Sequence, residues 1–181
     1  MTRARGAVHR VRALPDDDPA FEIAQRRWLL VRSPAMSRHS WSNLLVHLVW
    51  ATKYRNPILD PVDDAWLVTQ MRRTALAAEV PLLAVGAAID HVHLLITRRE
   101  TRRLCDVVYA LKGAVSRERN RQLHDAALLH WQDGYWAESV GTSALASVQA
   151  YVRGQRVHHA THGEPEPWEQ WMRVVSPTRR R

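Results

Sequence analysis

Two histidines stand one residue apart, at His91 and His93, where the stretch DHVHLLI enters an apolar run. Side chains at positions i and i+2 of a β-strand project from the same face, so both imidazoles are expected to point to one side. Two imidazoles on one face are a ready chelate for a divalent metal ion. For an isolated H-x-H, two surface histidines are the more common reading, so the pair indicates a metal site only if further ligands exist.

The neighbouring residues exclude several classes of metal site. A metallo-hydrolase motif of the H-x-H-x-D-H type requires an aspartate where Leu95 stands. A cupin requires a glutamate a few residues further on, and Glu100 comes too late. An amidohydrolase barrel requires a chain longer than 181 residues. The single cysteine, Cys105, excludes an internal disulfide and a multi-cysteine zinc site.

A second group of reactive side chains lies near the end of the sequence. Tyr151 and Gln155 are four residues apart in a predicted helix, so they occupy the same helical face. A phenol close to a metal-bound phosphate becomes a usable nucleophile, although a tyrosine in this setting is more often a packing residue with its hydroxyl in water. His158 and His159 suit a helix end electrostatically, and secondary DNA or metal contacts are the alternative.

The apolar periodicity predicts the elements that would position these groups. It indicates strands over 43–52, 82–89 and 91–97, helices over 63–80, 101–122 and 143–160, and a strand, turn and strand over 128–139. Thr142 or Ser143 is expected to cap the last helix, which Gly154 interrupts at a cost of about 1 kcal/mol relative to alanine. This order predicts an α+β, ferredoxin- or RRM-like sandwich, with helices packed on a central antiparallel sheet.

The charge of the chain favours an acidic partner. The formal net charge is +8, and nucleic acid is the commonest partner of a basic domain, although an arginine-rich proteome would raise the charge of every protein. No apolar run approaches the ~20 residues of a membrane span, and the first residues lack the apolar core of a signal peptide. We therefore expect a cytoplasmic protein that does not contact a membrane.

Five stretches occur in an order that resembles the single-tyrosine transposases of insertion sequences, the IS200-like family of the His-hydrophobic-His (HUH) endonucleases. They are HLVWATKYRNPIL, DHVHLLI, VVYALKGAVSRERN, WQDGY and YVRGQRVHH. The resemblance extends from Trp41 to His159 and implies the HUH endonuclease fold. It indicates a catalytic domain over 41–162, between a flexible basic extension over 1–40 and a proline-containing basic tail over 163–181.

The resemblance also implies a role for each reactive residue. His91 and His93 would bind Mg²⁺ or Mn²⁺, with Gln155 as a third protein ligand. Tyr151 would attack phosphorus in single-stranded DNA with hairpin ends, forming a 5′-phosphotyrosine and releasing a 3′-hydroxyl. The bond energy kept in this linkage would allow rejoining without ATP. The family further implies a homodimer in which the tyrosine helix often serves the partner subunit's metal site. Whether this chain forms such composite active sites or supplies the tyrosine to its own site is left open by the sequence.

DNA would be held by cations that neutralise phosphates and by aromatic rings that stack on bases. The candidates are Lys53, Arg55, Arg98, Arg99, Lys112, Arg117, Arg119 and Trp136. For each cation the alternative is a solvated surface charge. Trp131 is expected to belong to the core.

Two other functions remain open on the sequence. A domesticated relative would act on chromosomal palindromic repeats instead of mobilising its own element. A non-catalytic domain of the same fold would bind single-stranded nucleic acid without cleaving it. The four residues Tyr151, His91, His93 and Gln155 argue against the second alternative, because loss of catalysis would be expected to erase them first.

Overall fold

A computed structural model of the chain describes residues 44–98, 102–122, 128–161, 166–168 and 170. The predicted extension over 1–40 and most of the predicted tail lie outside the described residues. The helices and strands are β1 (Leu44–Ala51), α1 (Asp64–Ala77), β2 (Leu82–Ala87), β3 (His91–Arg98), α2 (Leu104–Gln122), β4 (Trp136–Val140), α3 (Leu145–Arg153) and α4 (Gln155–Thr161). None of the described helices is long and apolar enough to cross a membrane.

The four strands form one antiparallel sheet in the order β2-β3-β1-β4. β1 lies between β3 and β4, and seven of its eight residues are buried. β3 is the other central strand. Because β1 and β3 are both buried in the middle of the sheet, their sequences are apolar runs interrupted by histidines. The α+β sandwich with a central antiparallel sheet, predicted from the sequence, is confirmed.

The two faces of the sheet are covered by different helices. Leu94 of β3 packs in the main core with Met71 of α1 and Leu111 of α2. Leu95, the next residue, points to the opposite face and packs in a smaller cluster with Val152 of α3. Because side chains alternate along a strand, His91 and His93 share the face of Leu95, beneath α3.

The segment that precedes β4 is not a strand, although the sequence pattern predicts one there. Its only ladder contact among the described residues is an isolated bridge between Trp131 and Thr52. Other polar groups of the segment are bonded to α2: Trp131 Nε1 donates to the carbonyl of Lys112 at 3.1 Å, and Lys112 Nζ donates to the carbonyl of Gln132 at 2.8 Å. Trp131 is buried in the core, as expected.

The last predicted helix is two helices separated at Gly154. The Gly154 N–H donates to the carbonyls of Ala150 and Tyr151 at 3.0 and 3.2 Å, and α4 begins at the next residue. The predicted cap is wrong. Thr142 and Ser143 lie in a 3₁₀ turn (Thr142–Ala144), so the residue before α3 is Ala144, which has no side-chain cap.

A glycine determines how closely α3 approaches the sheet. A Cβ atom added at Gly86 of β2 would lie 1.6 Å from the carbonyl oxygen of Val152 and 3.3 Å from Cγ of Gln155. The first distance is far inside van der Waals contact and involves backbone, which cannot rotate away. The junction of α3 and α4 therefore rests directly on the backbone of β2.

Gly86→Ala should separate the last two helices from the sheet. We expect a loss of at least about 1–3 kcal/mol in the free energy of unfolding, since the added methyl overpacks a backbone contact. Gly113→Ala is the matched control, because Gly113 lies within α2 and its nearest atom is Arg117 Nη2 at 4.0 Å. That variant should gain up to about 1 kcal/mol. Urea denaturation checks both, and equal stability of the two variants would contradict the close docking.

Candidate active site

The two histidines of the H-x-H motif lie side by side beneath α3, as the strand spacing predicts. His91 and His93 are 1% and 0% exposed, and their ring centroids are 5.0 Å apart. Buried imidazoles require partners for their ring nitrogens, because an unsatisfied buried polar atom costs free energy. The partners of each ring determine which nitrogen faces the site.

His91 is oriented by the carboxylate of the preceding residue. Its Nδ1 lies 2.7 Å from Asp90 Oδ1, and Arg55 Nε donates to Asp90 Oδ2 at 2.6 Å. Burial alone would raise the pKa of Asp90, but the hydrogen bond from His91 and the charge of Arg55 outweigh it, so that the pKa is lowered. A carboxylate only accepts, so Nδ1 carries the proton and Nε2 keeps its lone pair.

His93 is oriented by a third histidine, His47 of β1. His47 Nε2 and His93 Nδ1 are 3.0 Å apart, while His93 Nε2 has no hydrogen-bond partner among the described residues. Burial lowers the pKa of His47 to about 4. Burial, with the neighbouring imidazoles, lowers the pKa of His93 well below its usual value. Both rings are therefore neutral at pH 7, the form that binds a metal.

Gln155 brings a second unsatisfied buried atom to the same place. Its side chain is 0% exposed, its Nε2 donates to the carbonyl of Tyr151 at 3.0 Å, and its Oε1 has no partner within the described part of the chain. Gln155 lies against Gly86, which is paired with His93 in the sheet. An imidazole nitrogen and an amide oxygen without partners are both metal-ligand atoms, so these residues fit a divalent ion.

A histidine from α4 also reaches the site. His159 Nε2 lies 3.0 Å from His91 Nε2, and ligand atoms of His91, His93 and His159 all lie within 4.8 Å of one another. The buried indole of Trp168 covers this group, with its ring 4.5 Å from His91 and 5.1 Å from His93. This is the one group of three or more candidate ligands found in the described ranges.

Tyr151 of α3 lies at the edge of the same cluster. Its ring stands edge-on to His93 and His47, with centroid distances of 5.5 and 5.8 Å, and it is half-buried. The phenol ring and the imidazole pair belong to the same chain. The four residues that the sequence singled out, at 91, 93, 151 and 155, are thus brought together within one subunit.

The predicted DNA-binding residues divide into two groups. Lys53, Arg98 and Arg117 are exposed, whereas Arg99 lies outside the described residues. Lys53 follows Thr52, whose N–H donates to the carbonyl of Asp90, so the backbone of Lys53 lies near the end of β3 that carries the histidine pair. Arg117 lies on α2, which packs against the opposite face.

The other candidates already have contacts within the protein. Lys112 Nζ donates to the carbonyls of Gln132 and Gly134, and burial lowers its pKa to about 8. Arg119 pairs with Asp63, Arg55 pairs with Asp90, and the Trp136 ring stands edge-on to His47 at 5.5 Å. For all of these residues, a contact to DNA stays a prediction.

Two residues of the site, His47 and Asp90, were not identified from the sequence, and His159 was singled out only as a helix-end residue with a secondary DNA or metal contact as the alternative. A histidine inside the apolar run LLVHLVW is an ionisable group in a buried strand, which was a usable signal for His47. Asp90 reads as a turn residue. His159 reads as a helix-end residue, because nothing in the local sequence shows that α4 docks on His91.

The fold and the site together define a class of protein. A four-stranded antiparallel sheet presents a buried H-x-H pair, and the two consecutive helices lying on it carry a tyrosine and a glutamine four residues apart. Residues 40–155 match the family model "Transposase IS200 like". The chain belongs to this transposase family, so the assignment made from its motifs is confirmed, and it is a DNA transposase.

Individual relatives agree with this family. The chain is 28% identical over 116 residues to the ISDra2 transposase TnpA of Deinococcus radiodurans, which covers 60% of this chain and 81% of the relative. A crystal structure of a transposase from the same organism superposes with a TM-score of 0.50 at 28% identity, covering 67% of this chain and 97% of the other.

A more distant structure shares the fold. It is a REP-associated tyrosine transposase bound to a REP hairpin, and it superposes with a TM-score of 0.51 at 14% identity. The match covers 78% of this chain and 87% of that one.

The neutral histidine cluster predicts that acid destabilises the metal-free protein. The folded pKa of His47, about 4, lies below its unfolded value of 6.5, so between these pH values the unfolded state binds more protons. The free energy of unfolding should therefore fall as pH falls from 6.5 to 4, by about 3 kcal/mol for His47 alone. Urea titrations in EDTA at several pH values measure the free energy of unfolding. In His47→Gln, the part of its pH dependence that His47 contributes should be absent.

The control replaces a histidine outside the site. His130→Gln removes an exposed imidazole and leaves the His47–His93 contact intact. If His47→Gln and the wild type lose stability equally between pH 6.5 and 4, the buried neutral state of His47 is excluded.

Proposed function

We propose that this transposase cuts and rejoins single-stranded DNA through a 5′-phosphotyrosine formed by Tyr151. The observation that carries the proposal is the meeting of three features in one subunit. The Tyr151 ring lies against His93, and His93 Nε2 has no partner among the described residues. Gln155, which lies against the strand neighbour of His93, Gly86, has an Oε1 that also lacks a partner there. A nucleophile and two vacant ligand atoms at one place are the parts that phosphodiester transfer requires.

His91, His93 and Gln155 would hold the divalent ion, Mg²⁺ or Mn²⁺. When bound, the ion supplies Lewis-acid polarisation of the scissile phosphate and neutralises charge that develops there. The protein's own contribution is orientation. Asp90 accepts from Nδ1 of His91, which leaves a lone pair on His91 Nε2 for the ion. His47 lies against Nδ1 of His93, and the tautomer in which His47 Nε2 accepts from that nitrogen leaves a lone pair on His93 Nε2 as well.

Tyr151 would carry out the covalent step. The phenol oxygen forms a bond to phosphorus, the bond from phosphorus to the 3′ oxygen breaks, and that oxygen leaves as a 3′-hydroxyl after taking up a proton. The phenol proton is released in the same exchange. Attack of a 3′-hydroxyl on the phosphotyrosine reverses the step, so joining needs no external energy source.

The DNA substrate would be single-stranded DNA with hairpin ends. The REP-associated relative of the same fold was solved with a hairpin, and the present chain offers exposed cations at Lys53, Arg98 and Arg117. Trp136 of β4 is half-buried beside His47, so it is the predicted stacking residue nearest to the site. Phosphate neutralisation by such cations makes binding salt-dependent.

A homodimer is part of the proposal, with the active site assembled within each subunit. Because Tyr151 and His93 of one chain are in ring contact, a second chain is not needed to bring the phenol to the histidines. In the alternative arrangement with composite sites, α3 would form the contact of Val152 with Gly86 across the dimer interface instead of within one subunit.

The same site would serve a domesticated enzyme acting on chromosomal palindromic repeats. The fold likeness to a REP-associated transposase is the observation that keeps this second candidate open. Cleavage assays with two substrate sets separate the candidates: hairpins from the ends flanking the gene, and palindromes dispersed elsewhere in the genome. The leading proposal predicts cleavage at the flanking ends.

The covalent step predicts a protein–DNA adduct that depends on one tyrosine. Incubated with its element-end hairpin DNA and MnCl₂, the wild type should form an adduct that survives SDS, and Tyr151→Phe should form none, because the nucleophilic oxygen is absent. DNA labelled separately at each end shows which product is retained on the protein, and the 5′-phosphate side is expected.

Tyr109→Phe is the matched control for this experiment, because Tyr109 lies on α2 and is 82% exposed. Its adduct yield should equal that of the wild type. A full adduct yield from Tyr151→Phe, or label retained through a 3′ phosphate, would rule out the proposed linkage.

The cation after β1 is predicted to contact a DNA phosphate. Lys53→Ala should weaken hairpin binding uniformly across sequences and reduce the slope of log affinity against log salt by about 1, because one fewer counterion is released. Arg121→Ala removes the same charge at the end of α2, where Arg121 pairs with Glu118, and should leave the slope unchanged. Fluorescence anisotropy at several salt concentrations measures both slopes, and equal slopes would remove Lys53 from the interface.

A further inference from the structure

We infer that His159 is a further ligand of the metal site, so that three imidazoles hold the ion and favour a transition metal over Mg²⁺. This inference rests on the proposed function, because it concerns the same site. It adds a ligand to the two histidines and the glutamine of the proposed metal site, because His159 is none of these three residues. The inference is based on the observation that ring nitrogens of His91, His93 and His159 all lie within 4.8 Å of one another.

The helix periodicity explains why His159 reaches the site. Tyr151, Gln155 and His159 follow one another at intervals of four residues, so they form one stripe along α3 and α4. The stripe faces the sheet, because Gln155 lies against Gly86 and the His159 ring stands 4.6 Å from that of His91. His159 therefore extends the row formed by Tyr151 and Gln155 by one helical turn.

The hydrogen-bond pattern around His91 supports a ligand role. His91 Nδ1 faces the Asp90 carboxylate, so its Nε2 offers a lone pair, and His159 Nε2 lies 3.0 Å from it. Without an ion, one proton must be shared between these two nitrogens, and His93 Nε2 still lacks a partner among the residues described. A single divalent ion would satisfy all three nitrogens at once.

The spacing of the nitrogens suits one ion. At metal–nitrogen distances of about 2.1 Å, two ligand nitrogens stand no more than about 4.2 Å apart. A set already gathered within 4.8 Å needs only small side-chain rotations to meet that limit. Trp168 packs 6.3 Å from His159 and 4.5 Å from His91, so both rings are held against a common surface.

The donor set determines which ions are preferred. Mg²⁺ selects oxygen ligands and keeps several waters, whereas imidazole suits transition metals. Two imidazoles and the Gln155 oxygen form a mixed set, and a third imidazole shifts the balance towards nitrogen. The expected consequence is that His159 contributes to the affinity for Mn²⁺ and Co²⁺ and contributes little to the affinity for Mg²⁺.

The test is direct metal binding by the full-length protein without DNA. Calorimetric titrations with MnCl₂, CoCl₂ and MgCl₂ compare the wild type with His159→Ala and His159→Gln. Loss of a residue that only orients a ligand weakens metal binding about 10- to 100-fold, so loss of a ligand should weaken Mn²⁺ and Co²⁺ binding by at least about 10-fold. Mg²⁺ binding should change by less than about 3-fold. His159→Gln, which offers an oxygen, should narrow the preference for Mn²⁺ over Mg²⁺.

Pulsed EPR of the Mn²⁺-loaded protein counts the nitrogens independently. The wild type should show couplings from three imidazoles and His159→Ala from two, while His130→Ala, which removes an exposed histidine, should match the wild type. Circular dichroism of each metal-free variant verifies that it is folded. If His159→Ala binds Mn²⁺ and Co²⁺ as tightly as the wild type and still shows couplings from three imidazoles, the inference is wrong.

A further variant separates failure of this inference from failure of the proposed function. His91→Ala should lose binding of all three ions, since His91 belongs to the metal site in either case. If His91→Ala binds metal normally, the metal site of the proposed function fails. If only His159→Ala binds normally, the metal site stands and the third imidazole is rejected.

Discussion

The contact between the backbone of β2 and that of α3 is the constraint on which the site depends. With no Cβ at Gly86, the carbonyl of Val152 comes within a distance that any other residue would forbid. The helix pair therefore lies directly on the sheet, and its stripe of Tyr151, Gln155 and His159 reaches the histidines of β3. The apolar cluster on this face is small, so the close docking carries much of the positioning.

Around that contact, a chain of polar groups holds the two motif histidines in fixed orientations. Arg55 binds Asp90, and Asp90 binds His91, while His47 binds His93 from the neighbouring strand. Buried polar networks of this kind are stable only when their members satisfy one another. The imidazoles remain neutral because of burial, so the cost of charge in the interior is avoided and the lone pairs that a metal requires are kept.

The parts of the site that lie within single elements follow from local periodicity. The spacing of His91 and His93 places both rings on one face of β3, and the interval between Tyr151 and Gln155 places them one turn apart even though Gly154 separates two helices. The side chain of Gln155 still reaches the carbonyl of Tyr151, so the break does not disturb the stripe. Backbone geometry over a few residues is sufficient for such predictions.

The surface cations show where sequence reasoning reaches its limit. The sequence does not distinguish a lysine or arginine whose charge faces water from one whose charge forms contacts within the protein. Lys112 holds the turn before β4 through three carbonyl contacts, and Arg119 joins α2 to the start of α1 through Asp63. In the segment where the pattern predicted a strand before β4, Asn120 and Lys112 of α2 bond backbone groups of Leu129 and Gln132.

The sequence by itself determined the family, the faces on which the motif residues lie, and the order of strands and helices apart from the strand predicted before β4 and the division of the last helix at Gly154. These properties depend on the local repeat of the backbone and on residues close together in the chain. Only the tertiary structure decided that His47 would orient His93, 46 residues away, and that His159 would meet His91, 68 residues away. Strand register and helix docking are set by packing between distant segments, and no local pattern encodes which side chains such packing will bring together.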